Sequence, residues 1–318
     1  MAAGDLCSAE GIDKRRHRYR GRVLGGLAPV RPFEPRVPSP VSELRDERLA
    51  PFGVRLHLKR DDLIHPEIPG NKWRKLKYNL AAAREQGHRT LLTFGGAYSN
   101  HIRAVAAAGR YFGFATIGVI RGEERLPLNP TLAYATECGM RLVYLDRTAY
   151  RTKADPQVIA GLRRSFGDFY LVPEGGSNAL AVRGCAELPA EIPFAFDHIC
   201  CPIGTGGTLA GIALGLTDGQ HATGFSALKG GDFLANEVRR LQAEYGQVTA
   251  NWSVETGHHF GGYARRTAEL DDFIKDFEER HAIALEWVYV AKMLYGVFAL
   301  VRAGHFKPGS VIVAVVTG

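Results

Sequence analysis

The chain has 318 residues, a formal net charge of +7, 46% hydrophobic residues and 23% charged ones. That length favours one large or two medium α/β units over a small scaffold, and the composition is that of an ordinary globular protein. No apolar run approaches the roughly 20 residues a membrane span needs and no apolar stretch near the start resembles a secretory signal, so a soluble, cytoplasmic protein with no membrane partner is expected.

Residues 1–28 read as a basic, flexible tail. Residues 1–22 hold six Lys/Arg against three Asp/Glu, so +3 of the net charge sits there and +4 in all that follows. The remainder mixes both signs and has no basic stripe interleaved with aromatics, so no nucleic-acid partner is expected. A tail contact with nucleic acid or membrane is the alternative. The Pro-rich segment 29–49 reads as an extended lead-in with Ser42 capping a short helix.

From Arg55 the chain alternates apolar β-type runs with helical patterns. Strands are expected at 55–60, 90–94, 114–120, 141–145, 169–173, 198–203, 223–228, 251–255 and 310–316. Helices are expected at 100–110, 130–138, 179–188, 208–216, 232–245, 267–280 and 287–303. Strict βα alternation argues for parallel sheets covered by helices. So many strands in one chain form either a closed barrel or two open sheets, and the grouping of the Gly-rich turns favours two. Five cysteines, at 7, 138, 185, 200 and 201, form no CxxC pair and are expected as free thiols in a reducing compartment, with no metal site. Cys200 and Cys201, adjacent in one strand, should point to opposite faces.

Three turns share one plan of strand, glycines, a short polar residue and helix: GGAYSNH at 95–101, EGGSN at 174–178 and GTGGTLAG at 204–211. Glycine lets backbone N–H groups approach a ligand, and the helix start that follows carries partial positive charge, so each is a potential anion cradle. The third is the strongest phosphate candidate, because Thr205 and Thr208 add hydroxyls among Gly204, Gly206 and Gly207. It matches neither GxxxxGK[ST] nor GxGxxG, which disfavours nucleotide triphosphates and dinucleotides. All three follow strand ends, where open α/β sheets bind ligands.

In IPGNKWRKLKYNL (68–80), Asn71 is a plausible helix cap, and Trp73, Leu76, Leu80 and Ala83 fall in one apolar sector with Lys72 at its edge. Arg74, Lys75 and Lys77 fit a solvated face. Lys72 is then either a snorkelling surface lysine or an amine whose pKa is lowered by desolvation and the helix N-terminus, suited to Schiff-base chemistry. A candidate nucleophilic amine, a phosphate cradle and Ser/Asn-bearing loops are together what pyridoxal phosphate chemistry requires.

On LKRDDLIHPEIPGNKWRKL, FGGAYSNHIRAVAAAG, PEGGSNALAVRG, GTGGTLAG, GGYARRTAEL, VYVAKMLYG and the final TG, the chain resembles the D-cysteine desulfhydrase and 1-aminocyclopropane-1-carboxylate deaminase family of fold-type II pyridoxal-phosphate enzymes, over about residues 36–318. The resemblance implies two open, twisted α/β domains with mostly parallel sheets, a large one from 29–72 and 170–318 and a small one from 73–169, with pyridoxal 5'-phosphate in the cleft between them and commonly a homodimer. It implies that Lys72 forms the Schiff base and shuttles protons, Asn100 hydrogen-bonds the cofactor's ring hydroxyl, and Ser99 contacts the substrate carboxylate or moves a proton. Gly204, Thr205, Gly206, Gly207 and Thr208 would bind the phosphate, Thr317 would serve the ring nitrogen, and Tyr263 and Tyr289 would lie near a small amino-acid substrate.

Each has a plainer reading: Ser99 and Asn100 as helix caps, the tyrosines as packing residues. The chain departs from the pattern at Val290, where deaminases resemble one another in carrying Glu and desulfhydrases Thr, and at Tyr98 in place of Gln. The implied activity is α,β-elimination, with D-cysteine giving pyruvate, ammonia and sulfide. The deaminase activity is the second choice, and a non-catalytic protein binding an anionic metabolite is the reading from another class.

Overall fold

A parallel strand covered on both faces needs an unbroken apolar run, and VIVAVV, the strand β10 at Val311–Val316, is buried at every position in the computed structural model, which describes residues 32–318. The tail expected at 1–28 lies outside the described residues. β10 sits in the middle of a six-stranded sheet with β1 (Val41–Leu44), β2 (Arg55–Arg60), β7 (His198–Ile203), β8 (His221–Ser226) and β9 (Trp252–Glu255), in the order β1-β2-β10-β7-β8-β9. Only the β1–β2 pair is antiparallel.

The adjacent cysteines of β7 do face opposite ways. Cys200 joins Leu294, Val297 and Phe298 of α10 (Val290–Arg302), whereas Cys201 joins Leu209 and Ile212 of α7 (Gly207–Leu214) and Val238 of α8 (Leu234–Tyr245). The sheet is therefore clothed by helices on both sides, and Cys138, Cys185, Cys200 and Cys201 are free thiols.

A second, wholly parallel sheet has four strands in the order β5-β4-β3-β6: β3 (Thr90–Gly95), β4 (Ala115–Arg121), β5 (Arg141–Leu145) and β6 (Tyr170–Val172). Its core joins Leu92, Phe94, Val119, Leu145 and Phe169. The chain divides into two compact units: Glu34–Asn79 with Gly175–Gly318 holds the large sheet, and Leu80–Glu174 holds the small one. The boundary falls inside α1 (Asn71–Glu85). The remaining helices are α2 (Asn100–Phe112), α3 (Pro130–Glu137), α4 (Arg147–Arg151), α5 (Pro156–Phe166), α6 (Ala179–Ala186) and α9 (Ala268–His281). Among the described residues no helix is long and apolar enough to cross a membrane.

Three expectations are corrected. Ser42 caps no helix: it lies in β1, opposite Leu58 of β2, an edge strand whose Ser42 and Glu43 are exposed and whose pairing with β2 forms it. The span between the strands at 141–145 and 169–173, expected to hold no helix, holds α4 and α5. α4 buries the single side chain Tyr150 in five residues, too short to register as a period, whereas α5 buries Leu162 and packs Val158, Ile159 and Phe166 on the same core, a helical stripe that was open to sequence reading.

The third correction concerns α1, where Arg74 and Lys75 do not form a solvated face but are 1% and 4% exposed. The Arg74 guanidinium donates to both oxygens of Asp61, at 2.6 and 2.8 Å, and to both oxygens of Glu191, at 2.7 and 2.8 Å. Lys59, fully buried, donates to Glu191 at 2.7 Å and to the Ser39 carbonyl at 2.7 Å, and the Ser39 hydroxyl donates to Asp61 at 2.6 Å. Paired charges can occupy positions that periodicity assigns to solvent.

Burial works against the charge of Glu191, yet Arg74 first and Lys59 second hold its carboxyl down at about 2. Burial outweighs Glu191 at Lys59 and pushes that ammonium below its usual range. The cohesion of the network therefore lies on the Arg74 side.

Arg74→Leu should destabilise the protein by about 3–5 kcal/mol, because it leaves the buried Asp61 carboxylate without its ion-pair partner and Glu191 with Lys59 alone; urea unfolding at pH 7 measures this. Since the Glu191 pKa is depressed on folding, from 4.5 to about 2, its stabilisation is complete above the higher value and is lost as pH falls toward the lower one. Unfolding midpoints taken across that window should fall more steeply for the wild type than for Glu191→Gln; parallel slopes would show that Glu191 is not held so low.

Candidate active site

The turn before α1 is fixed by close contact. Gly70 has φ +55°, and a Cβ there would lie 1.8 Å from the Thr317 carbonyl oxygen just beyond β10. Only glycine fits both the left-handed backbone and the contact, and the Gly70 N–H donates to the Asp61 carbonyl at 2.9 Å. Thr317, 3% exposed, is thereby brought beside the start of α1.

Asn71, expected as the cap, is instead the first residue of the helix, and its side chain bridges. Its amide nitrogen donates to Thr208 Oγ1 at 3.1 Å and its amide oxygen accepts from Lys72 Nζ at 2.6 Å. Lys72 is thus tied through one residue to the third glycine loop. Lys72 is half-buried as a residue, but its amine is set among protein atoms. Desolvation first, then the like charge of Lys75, lower its pKa to about 7, with Glu286 pulling the other way. The sequence reading invoked desolvation and the helix terminus; Lys75, rather than that terminus, is the second cause.

Lys75 belongs to the same constellation, and sequence reasoning missed it. Its Nζ lies 3.2 Å from the Gly175 carbonyl and 3.3 Å from Ser177 Oγ, and burial pushes its pKa down. Ser177 Oγ is 2.6 Å from Thr205 Oγ1, so the second and third glycine loops meet. A Cβ on Gly207 would lie 2.6 Å from Ser177 Oγ and 3.4 Å from Lys75 Nζ. The glycine at the first position of α7 therefore leaves that helix start open to a hydroxyl and an ammonium. The available signal was the i, i+3 spacing of Lys72 and Lys75, which puts both on one face.

Tyr289 precedes α10, and a Cβ on Gly204 would lie 3.1 Å from its hydroxyl. The Glu286 carboxylate accepts from the backbone N–H of Val288 and of Tyr289, at 2.7 and 2.8 Å. The Tyr263 ring stands edge-on to Tyr289 with centroids 5.9 Å apart. Val290 is fully buried and apolar, packed in the core cluster with Leu294 and Val297.

In the large-sheet unit the structure therefore brings together Lys72, Thr205, Gly206, Gly207, Thr208, Gly204, Tyr289, Tyr263 and Thr317. Ser99 and Asn100 belong to the other unit. Ser99 is the N-cap of α2, its hydroxyl oxygen accepting from the N–H of His101 and Ile102 at 3.2 and 3.4 Å. Asn100 is the first residue of that helix. Capping uses the oxygen's lone pairs and leaves the Ser99 proton available to donate.

A helix start opened by Gly207, hydroxyls at Thr205, Thr208 and Ser177, and a buried ammonium at Lys75 form a donor set for a phosphate dianion. An amine poised near neutrality stands one residue away from it. Such a pairing defines an enzyme that holds a phosphorylated carbonyl cofactor, and residues 36–318 match the family described as pyridoxal-phosphate dependent enzyme. The chain belongs to that family, and its cofactor is pyridoxal phosphate.

Among its relatives, a putative 1-aminocyclopropane-1-carboxylate deaminase of Pyrococcus horikoshii is 30% identical over 279 residues, covering 84% of this chain and 85% of the relative. A bifunctional D-cysteine desulfhydrase/1-aminocyclopropane-1-carboxylate deaminase of Arabidopsis thaliana, a mitochondrial protein, is 31% identical over 271 residues, covering 77% and 67%. The crystal structure of an ACC deaminase homologue superposes with a TM-score of 0.77 at 28% identity, covering 88% of this chain and 89% of the other. Membership of an enzyme family sets aside the reading of a non-catalytic anion-binding protein.

Because Lys75 is the second cause of the low Lys72 pKa, Lys75→Met should raise the pKa of the Lys72 amine. The pH dependence of Lys72 acetylation in cofactor-free protein, followed by peptide mass spectrometry, reports it. A Lys72 titration that does not move upward in the variant would remove Lys75 from the cause.

Proposed function

We propose that this chain is a pyridoxal-phosphate-dependent lyase that α,β-eliminates a small amino acid, with D-cysteine as the leading substrate and Lys72 as the residue that carries the cofactor covalently. The observation that supports this most is the Lys72 amine, whose pKa of about 7 leaves much of it unprotonated and nucleophilic near neutral pH. In this reading the ammonium of Lys75, the hydroxyls of Thr205 and Thr208 and the backbone of Gly204, Gly206 and Gly207 hold the phosphate, Asn100 the ring hydroxyl, and Thr317 the ring nitrogen. Val290 offers that nitrogen no hydrogen bond.

When bound, the cofactor supplies an electron sink for the pair left on Cα as its proton departs. The residues of the chain manage the protons. Lys72 takes the Cα proton, while the Ser99 hydroxyl, its lone pairs engaged at the helix cap, donates to the substrate carboxylate; the C–H pair becomes the Cα–Cβ double bond as the Cβ–S bond breaks and sulfide leaves with its own pair. Hydrolysis of the resulting 2-aminoacrylate gives pyruvate and ammonia. Tyr289 and Tyr263 would orient the substrate between them. The proposal includes a cytoplasmic homodimer, for which the support is the family resemblance.

Opening of 1-aminocyclopropane-1-carboxylate to 2-oxobutanoate and ammonia is the second reading, favoured by the names of the relatives. Which 2-oxo acid accumulates separates the two.

Purified protein given pyridoxal phosphate should show a visible absorption band that shifts when D-cysteine is added, with pyruvate and sulfide appearing. Lys72→Ala should lack the covalently held cofactor and lose turnover by roughly 10³-fold or more, as expected when a proton-transferring nucleophile is removed. Retention of turnover in that variant would remove Lys72 from the mechanism.

A further inference from the structure

A third buried lysine stands outside the constellation above. Lys292, on α10 three residues after Tyr289, is 1% exposed, and its Nζ donates to the backbone carbonyls of His259 at 2.9 Å and Gly262 at 2.7 Å. Those carbonyls belong to the loop that carries Tyr263. The backbone of that loop is held in the left-handed region at Phe260, Gly261, Gly262 and Ala264, with φ of 51, 89, 108 and 51°. Two of the four are not glycine, and such a path persists only where its surroundings enforce it. α10 supplies the enforcement: besides Lys292, the Tyr295 ring stacks edge-on to Phe260 with centroids 4.8 Å apart.

The same helix start positions the other tyrosine, since Glu286 holds the N–H of Tyr289. Glu286 is also the carboxylate whose charge acts on both Lys72 and Lys292. A hydrophobic side chain would fill the core position of Lys292 at less desolvation cost, so what the ammonium adds is the pair of directed bonds to the loop.

We infer that Lys292 is a positioning residue for the substrate site, fixing the 259–263 loop so that Tyr263 stands against Tyr289. This rests on the reading that the two tyrosines face the amino-acid substrate. Lys292 touches neither substrate nor cofactor in this assignment; it acts through Tyr263.

The test uses full-length protein loaded with pyridoxal phosphate, comparing wild type, Lys292→Met, Tyr263→Phe and the double variant. Lys292→Met should leave the visible cofactor spectrum unchanged and raise KM for D-cysteine about tenfold with kcat within about twofold, the signature of lost ground-state and transition-state binding together. In the Tyr263→Phe background the same substitution should change KM by less than about twofold, because coupled residues are non-additive. Amide hydrogen exchange across 259–265, measured without substrate, should speed up about tenfold or more.

Unchanged exchange, or an undiminished KM rise in the Tyr263→Phe background, would overturn the inference. Should Lys292→Met not fold, Lys292→Gln replaces it, and failure of both makes Lys292 a folding residue and likewise overturns it. Wild-type protein that neither colours with the cofactor nor consumes D-cysteine sinks the functional reading instead, while the exchange measurement still decides the dependence of the loop on Lys292.

Discussion

The start of α1 is held by Asp61 from two sides, and the site depends on that hold. Its backbone carbonyl accepts from the Gly70 N–H, and its carboxylate accepts twice from Arg74. Arg74 lies between Lys72 and Lys75, so anchoring it fixes the rotation of the first helical turn and with it the direction of both amines. A buried ion pair offers little net stability against a hydrophobic substitute. Its contribution here is register: a Leu at 74 could bury itself over a range of helix rotations, whereas a guanidinium shared by two carboxylates accepts one.

That anchoring makes close approach possible elsewhere. Thr317 presses its backbone carbonyl to within the reach of a Cβ at Gly70, and Ser177 presses its hydroxyl to within the reach of one at Gly207. Contacts at such distances leave no slack, so the second and third glycine loops, Lys75 and the Asn71 bridge to Thr208 form one packed assembly. Desolvation within that assembly then sets the chemistry, lowering both lysines while Glu286, placed by its hydrogen bonds to the turn at Val288 and Tyr289, moderates Lys72.

Much of this was legible before any coordinates. The nine strand expectations from 55–60 to 310–316 all find a strand in the structure, shifted by a residue or two at the ends, because buried parallel strands are continuous apolar runs. The edge strand β1 was not legible: VSEL is short and half polar, and its pairing with β2 comes from tertiary context. Helix α4 failed for the same kind of reason, contributing one buried side chain, whereas the stripe of Val158, Ile159, Leu162 and Phe166 on α5 was legible. At the site, Lys72 and the threonines of the third loop could be named from motif and spacing. Arg74 and Lys292 could not, and Lys75 only through its i, i+3 spacing from Lys72, since a charged residue reads as exposed unless its partner is known, and those partners, Glu191, the His259 carbonyl and Ser177, are 117, 33 and 102 positions away.

The contrast between the two amines on the first turn of α1 shows how one helix face can carry two chemistries. Both are desolvated, which alone would favour neutrality in each. Lys75 donates to a carbonyl and a hydroxyl, acceptors that favour its charged form, and a bound phosphate would favour it further. Lys72 reaches a neutral amide oxygen and faces the positive charge of Lys75, so Lys75 pushes Lys72 toward the free amine for as long as no anion offsets that charge. In the proposed function, binding the phosphate and activating the nucleophile are then not independent tasks. The anion that neutralises Lys75 also weakens its push on Lys72, so the amine is most depressed before the phosphate arrives and regains basicity once the cofactor is seated, which suits a residue that must first attack a carbonyl and later accept a proton.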